Sequence, residues 1–323
     1  MKDLLSAYYG IYADGSTIWN GMEALKQGNY LYFTISAEHK EIIHMEQAAL
    51  AYYLYENNCP QVAIPVPNSQ GDWFTDYLNK TYCVLRLKNT SSDTGLAQGE
   101  TLAQFHQLGS RFNYEPQEIS SYGQWKQLWI EKLTAFEKQI EVEAAEYPNS
   151  YYRLLMDVLP YVIGISENAI QYMQESEHES RFHQVDQGTI AFRRYGGNMR
   201  DSVIWTTDLV YDHPARDLAE HIRHKLLLRD NPMQEIREFL DAYQQVRQLS
   251  VFSWRLLYAR LMYPIHLFDI IERGFSEKEH DKLYQELADK LEMQTIYEKR
   301  LSLLFEYAGV DSEGLQIPVL HWI

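Results

Sequence analysis

Ser202-Val203-Ile204-Trp205-Thr206-Thr207-Asp208-Leu209-Val210-Tyr211-Asp212-His213-Pro214-Ala215-Arg216-Asp217-Leu218-Ala219 is the stretch whose reading decides the fold. It opens strand-like at Ser202 to Trp205 and turns helical at about Ala215, directly after Pro214. Just upstream, Thr189 to Arg194 is also strand-like, and Gly196-Gly197-Asn198 lies between the two runs. Together they signal a hairpin over about 189–205.

Downstream of this stretch the helical period dominates. Helices are expected at about Ala215 to Arg229, Pro232 to Leu249, Phe252 to Arg273, Glu277 to Ala288 and Gln294 to Ala308. Upstream, long helical runs cover about Tyr122 to Glu146 and Ser150 to Glu175, the second interrupted at Pro160. The strand signals gather before Leu87. Gly28 to Ser36 is aromatic and β-branched and starts at a Gly-Asn turn, and a helix follows over about 38–57. Gln61 to Pro67, Asp72 to Leu78 and Thr81 to Leu87 are three further strand runs, the last two joined by Asn79-Lys80. Lys88 to Gly95 is polar and forms the connection to the helical part. Two domains are therefore expected, 1–90 and 91–323.

A chain of 323 residues suits two domains or one bilobal unit. The formal charge of -16 disfavours nucleic acid and anionic membranes, which both draw affinity from clustered Lys and Arg. Cys59 and Cys83 have no metal-ligand spacing, so no zinc site or disulfide framework is expected. Met1 to Tyr9 lacks the pattern of a signal peptide, and no window reaches the roughly 18 apolar residues of a membrane span, so synthesis and folding in the cytosol are expected. The 25 tyrosines fall largely in helical patterns, where a buried ring with its hydroxyl at the rim accounts for them.

The quoted stretch resembles the metal-binding segment of aminoglycoside and choline phosphotransferases, and most closely the bacterial spore-coat proteins built on that fold, of the CotS/YutH type. In that family an apolar-Ile-Asp-Phe-Asp run precedes Tyr-Asp-x-Pro-x-Arg-Asp-Leu. Tyr211, Asp212, Pro214, Arg216, Asp217 and Leu218 match the second part without a gap, which puts Trp205 at the magnesium-ligating aspartate. The Leu102-Ala103-Gln104-Phe105-His106 run similarly resembles the Leu-Ala-x-x-His helix of this superfamily, whose histidine is used for packing. The resemblance implies an α+β, bilobal, protein-kinase-like fold, with a small antiparallel sheet and one helix in the N-lobe and a larger, mostly helical C-lobe.

Phosphoryl transfer is mainly positioning and electrostatics, so it depends on the groups that hold metal and orient the nucleophile. The family's catalytic loop reads His-x-Asp with an asparagine five residues after that aspartate. Phe182 to Ile190 keeps His183 but has Val185 and Ile190 at the two chemical positions. Neither side chain can take a proton or bind magnesium. Asp186 lies one residue late and Asp208 three residues past Trp205; these are the fallback candidates. The strand run Tyr30 to Ile35 has no phosphate-gripping lysine, so Glu41 and Glu46 on the following helix are expected to be solvated charges. Three framework residues remain by resemblance: His106 for packing, His183 to brace the loop core, and Asp217 to anchor the catalytic-loop backbone. The apolar replacements imply a filled cleft, each buried side chain contributing about 1.5–3 kcal/mol.

The resemblance implies a catalytically inactive kinase-fold protein without a cofactor. Its role would be structural, in the bacterial endospore coat: made in the mother-cell cytoplasm, assembled into the coat, and partnered by other spore-coat proteins. An active small-molecule phosphotransferase using ATP and magnesium, with Asp186 and Asp208 in displaced roles, is the alternative of a different class. A nucleotide-binding pseudoenzyme is the third. The apolar segment Leu315 to Ile323 is expected to dock onto the body of the protein.

Overall fold

The structure, a computed structural model, describes residues 1–19, 21–88, 95–201, 203–228, 230–277 and 279–319. Packing divides the chain into two units, 1–121 with 188–212, and 122–187 with 213–323. The expected boundary at 90/91 and most of the Lys88 to Gly95 connection lie outside the described residues. Among the described residues, no helix is long and apolar enough to cross a membrane.

The first unit is built on a six-stranded antiparallel sheet. It contains helix α1 (Lys2–Tyr9), strands β1 (Gly15–Trp19), β2 (Met22–Gln27) and β3 (Tyr30–Ser36), helix α2 (Glu41–Glu56), and strands β4 (Ile64–Val66), β5 (Thr75–Tyr77) and β6 (Lys80–Lys88). Neighbours run β1-β2-β3-β6-β4, and β5 pairs with β6. The strand-helix-strand-strand-strand order from Gly28 onward is as expected; α1, β1 and β2 went unread. Side chains alternate between the faces of the sheet, as a period of two requires. Leu31, Phe33, Cys83, Leu85 and Leu87 enter one core with Val203, while Tyr32, Val84 and Leu25 enter another with Leu4 and Leu5 of α1. Both faces are thus covered. The turn between β5 and β6 is Leu78-Asn79, with φ of 51° and 61°, instead of Asn79-Lys80.

Helix α3 (Gln98–Gly109) and the hairpin of β7 (Thr189–Phe192) and β8 (Leu209–Asp212) complete this unit. The hairpin differs from the expected 189–205. Thr189 pairs with Asp212 and Phe192 with Leu209, so the second strand is the apolar run Leu209-Val210-Tyr211. Ile204 instead makes an isolated parallel bridge to Val62. Helix α3 lies close on β7: a Cβ on Gly109 would stand 2.7 Å from the backbone nitrogen of Ile190.

The second unit is helical: α4 (Trp125–Glu146), α5 (Ser150–Ser176), α6 (Ala215–Leu226), α7 (Met233–Val246), α8 (Val251–Met262), α9 (Ile265–Gly274), α10 (His280–Ser302) and α11 (Leu304–Tyr307). Helix α8 is its centre, with every residue from Ser253 to Met262 buried. Three boundaries differ from the sequence reading. Pro160 does not interrupt α5, because it sits on the exposed face while Leu155, Leu159 and Val162 hold the other face in the core. Pro264 does end α8, since the residue before it, Tyr263, is driven to extended backbone at ψ 121°. The last two expected helices are one, α10, followed by the short α11. The tail docks as expected as far as it is described: Ile317 is buried and the Pro318 carbonyl accepts from the Tyr172 hydroxyl at 2.9 Å. Residues 320–323 lie outside the described ones.

Candidate functional site

In the second unit the segment aligned by resemblance with the catalytic loop is a 3-10 turn, Gln184–Asp186. Asp186 is fully buried. Its Oδ2 accepts the His183 backbone N–H at 2.7 Å, and its Oδ1 accepts the hydroxyls of Ser250 at 2.6 Å and Ser253 at 2.5 Å. His213 adds Nε2 at 3.6 Å from Oδ1. Because His213 Nδ1 accepts the Ala215 N–H, the ring proton resides on Nε2 and faces the carboxylate. Burial alone would raise the carboxyl's pKa; donation by His213, Ser250, Ser253 and the His183 amide outweighs it and holds it at about 2. A fully buried carboxylate that accepts three hydrogen bonds, with the His213 ring close by, acts as a structural acceptor with no open side for a substrate hydroxyl.

The loop around it is fixed by its backbone. The Tyr122 hydroxyl donates to the Asp186 carbonyl at 2.8 Å, and Arg247 donates to the Val185 carbonyl at 2.6 Å. Val185 itself is half-buried and offers only an isopropyl group. The His183 side chain is exposed, which corrects its expected place in the loop core. Asp186 fills that bracing position. Asp217 is fully buried in the first turn of α6.

The first unit holds the other candidates. Ile190 is fully buried in β7, and His106 is fully buried on α3, its carbonyl accepting the Thr189 hydroxyl at 2.8 Å. Trp205 packs edge-on against Phe33 of β3, with ring centroids 4.7 Å apart, and joins the core on that face of the sheet. The chain is clamped on both sides of the indole: Ala63 N donates to the Ile204 carbonyl at 2.9 Å, and the Thr206 hydroxyl donates to the Ala63 carbonyl. Asp208 is half-buried in the following 3-10 turn. Burial pushes its carboxyl up, opposed by Arg193 and assisted by Asp201. Asp186 belongs to one unit and Asp208 to the other. Among the described residues, no three His, Cys, Asp or Glu side chains are grouped to hold a metal ion.

Glu46 is a further correction. It is buried, and its carboxylate accepts the backbone N–H groups of Gln117, Glu118 and Ile119 at 2.7, 2.9 and 3.1 Å. The neighbouring Gln47 donates to the Thr207 and Leu209 carbonyls at 3.0 and 3.3 Å. Helix α2 therefore uses Glu46 and Gln47 to secure two backbone segments. Sequence reading also missed Ser250, Ser253 and His213. Ser250 is the N-cap of α8, its hydroxyl oxygen accepting the Ser253 N–H at 2.9 Å, and a Ser-x-x-Ser run ahead of an apolar helix is the signal that could have found the cap, though not the bond to Asp186.

The family model described as "Spore coat putative kinase YutH" matches residues 2–304. The endospore coat-associated protein YutH of Bacillus subtilis (strain 168) is 31% identical over 340 residues, covering 100% of this chain and 98% of that protein. Among solved structures, the aminoglycoside phosphotransferase from Alicyclobacillus acidocaldarius superposes with a TM-score of 0.59 at 14% identity, over 94% of this chain and 95% of that one. The AMP-bound complex of spectinomycin phosphotransferase gives 0.60 at 14% identity, over 90% and 96%. These likenesses give the fold, and it is the kinase-like one expected from the sequence. With its fold and nearly its whole length matched, the chain belongs to the YutH family of spore-coat proteins.

Proposed function

We propose that this protein is a non-catalytic kinase-fold component of the endospore coat, acting through structure and interaction. The observation that carries this reading is Trp205: at the position of the family's metal-binding aspartate stands an indole packed on Phe33, and indole cannot ligate a hard cation. Ile190, at the position of the second metal ligand, is a core residue of β7. Asp186, a carboxylate one residue past the catalytic-base position, is occupied by three donors, with His213 Nε2 3.6 Å away. Framework residues such as Asp217 persist because buried backbone groups still need partners whether or not chemistry survives.

The coat assignment rests on the family and on the endospore coat-associated relative. On this reading the chain is made in the mother-cell cytoplasm and assembles into the coat, where its partners are other coat proteins. The net charge of -16 sets those partners apart from nucleic acid. The test has two arms. A fluorescent fusion of the full chain collects at the spore periphery during sporulation, and the purified chain consumes no ATP with magnesium above the buffer rate. A fusion that stays diffuse in the mother cell contradicts the coat role. ATP turnover that disappears in Asp208→Asn contradicts the non-catalytic role.

A further inference from the structure

Helix α2 leaves an apolar stripe in solvent. Its inner face enters the core through Leu50, Ala51 and Leu54. On the outer face Ile42, Met45, Ala49 and Tyr52 recur at intervals of three, four and three, the spacing that sets side chains in line along a helix. Ile42 is 64% exposed and Met45 57%, and Ala49 is exposed beside them. A surface helix ordinarily turns polar residues outward, and an aligned apolar face marks an interaction site more than scattered exposed residues do.

The stripe opens into a pocket of about 210 Å³. Met45, Ala48, Ala49 and Tyr52 form its α2 wall, and Trp73 and Phe74, ahead of β5, also line it. Trp73 stands edge-on to Tyr52, with ring centroids 5.6 Å apart. The lining carries no Asp, Glu, Lys or Arg. Stripe and pocket together suit a helix laid in a groove: the two alanines admit its backbone closely, and the pocket has room for one large apolar side chain, since about 150 Å³ suffices for benzene. Charge selects the occupant. Glu38 and Glu41 stand at one end of the stripe, Glu56 at the other, and Asp72 precedes Trp73; all four are exposed, and none makes an ion pair among the described residues. Lys40 at the N-cap is an opposing charge, but α2 itself has no Lys or Arg. A second copy is the wrong partner: with two α2 helices antiparallel and Met45 over Ala49, Glu38 faces Glu56, and both chains carry a charge of -16.

We propose that this groove binds a basic amphipathic helix of another protein, with one large apolar side chain in the pocket and Lys or Arg at its flanks meeting Glu41, Glu56 and Asp72. Its length follows from α2, whose 16 residues span about 24 Å. The apolar anchor supplies most of the affinity, and the acidic rim supplies orientation and choice of partner. The groove uses none of residues 185, 190 and 205, so it does not rest on the non-catalytic reading.

Fluorescence anisotropy of labelled synthetic peptides on the full chain tests this. The probes are helices of about four turns: leucine at the apolar spacing with lysine elsewhere, the same with glutamate in place of lysine, and the same with serine in place of leucine. The lysine and leucine peptide binds at micromolar concentration and weakens as salt rises; the other two bind more weakly by about tenfold or more. Met45→Lys and Ala49→Lys, both at exposed positions, each lower its affinity by about tenfold. Glu41→Lys with Glu56→Lys lowers it severalfold and improves binding of the glutamate and leucine peptide. Glu137→Lys with Glu141→Lys, at exposed positions on α4, makes the same change in net charge and leaves the affinity unchanged. Absence of binding to the wild-type chain overturns the proposal, as does unchanged binding in folded Met45→Lys and Ala49→Lys. An equal loss in the α4 variant also overturns it, because the peptide then reads net charge alone. So does self-association of the wild-type chain that Met45→Lys abolishes, which assigns the groove to a second copy. Circular dichroism checks the fold of each variant, and if Met45→Lys does not fold, Ala49→Lys and the Glu41 and Glu56 pair decide.

Discussion

Replacing Asp186 by Asn separates a structural carboxylate from a catalytic one. The amide has nearly the same shape, and the hydroxyls of Ser250 and Ser253 can rotate to accept from it, so the change removes charge and little else. Three of the bonds then fall from ion-assisted to neutral strength, a loss of about 1 kcal/mol each. An independent route gives a similar figure: a carboxyl held at about 2 in place of its ordinary 3.8 favours the ionised form by about 2 kcal/mol. Asp186→Asn should therefore destabilise the protein by about 2–3 kcal/mol, lowering the urea midpoint by roughly 1 M. The pH dependence has a definite sign. The folded pKa lies below the unfolded one, so this stabilisation is complete above about pH 4 and is lost as pH falls through about 2, and the gap between wild type and variant closes over that window. Urea titrations at several pH values give both readings. A variant as stable as wild type, or more so, would refute the reasoning, because removing a residue poised for chemistry commonly relieves strain.

Glu46→Ala should cost about 2–4 kcal/mol and speed hydrogen exchange at the amides of Gln117, Glu118 and Ile119, since all three lose one charged acceptor. Gly109→Ala should destabilise by about 3 kcal/mol, because its Cβ would meet backbone of β7 at 2.7 Å; Gly164→Ala, in the middle of α5 with nothing within 4 Å, should stabilise by about 0.5–1 kcal/mol. Thermal melts of the two variants give opposite shifts. His266 is buried beside Arg223 and bonded to Gln294, and burial above all holds its pKa at about 3. The unfolded chain takes up this proton near pH 6.5 and the folded chain does not, so stability is full above that pH and is lost as pH falls towards 3. Between pH 6.5 and 4.5 the wild type should lose about 2–3 kcal/mol relative to His266→Gln, read by urea titration at each pH.

Much of the fold was legible because it rests on local periodicity. The aromatic and β-branched run from Gly28 to Ser36 after a Gly-Asn turn placed β3, and the helical spacing of Leu50 and Leu54 placed α2. The reading of 205 as a substituted position rests on the gapless frame from Tyr211 to Leu218, and that of 185 and 190 on the count from His183. What was not legible depends on tertiary pairing. β7 selected Leu209–Asp212 over 202–205 through a long loop that no turn motif specifies. Glu46 looked like a surface charge on α2, since its partners are backbone amides about seventy residues away, which have no side-chain signature. Asp186 looked like a displaced base because its partners Ser250 and Ser253 lie on α8, far along the chain. Pro160 and Pro264 look alike in sequence and differ in outcome because only the first has an exposed face on which to lose a hydrogen bond.

Isothermal titration of the purified chain with ATP, with and without magnesium and up to millimolar nucleotide, tests the non-catalytic reading most directly. With indole and sec-butyl side chains, those of Trp205 and Ile190, where the resemblance places the metal ligands, magnesium should make no difference, and neither heat nor a shift in melting temperature is expected. Magnesium-dependent binding that is lost in Asp208→Asn would contradict it, showing that a displaced carboxylate has taken over the metal.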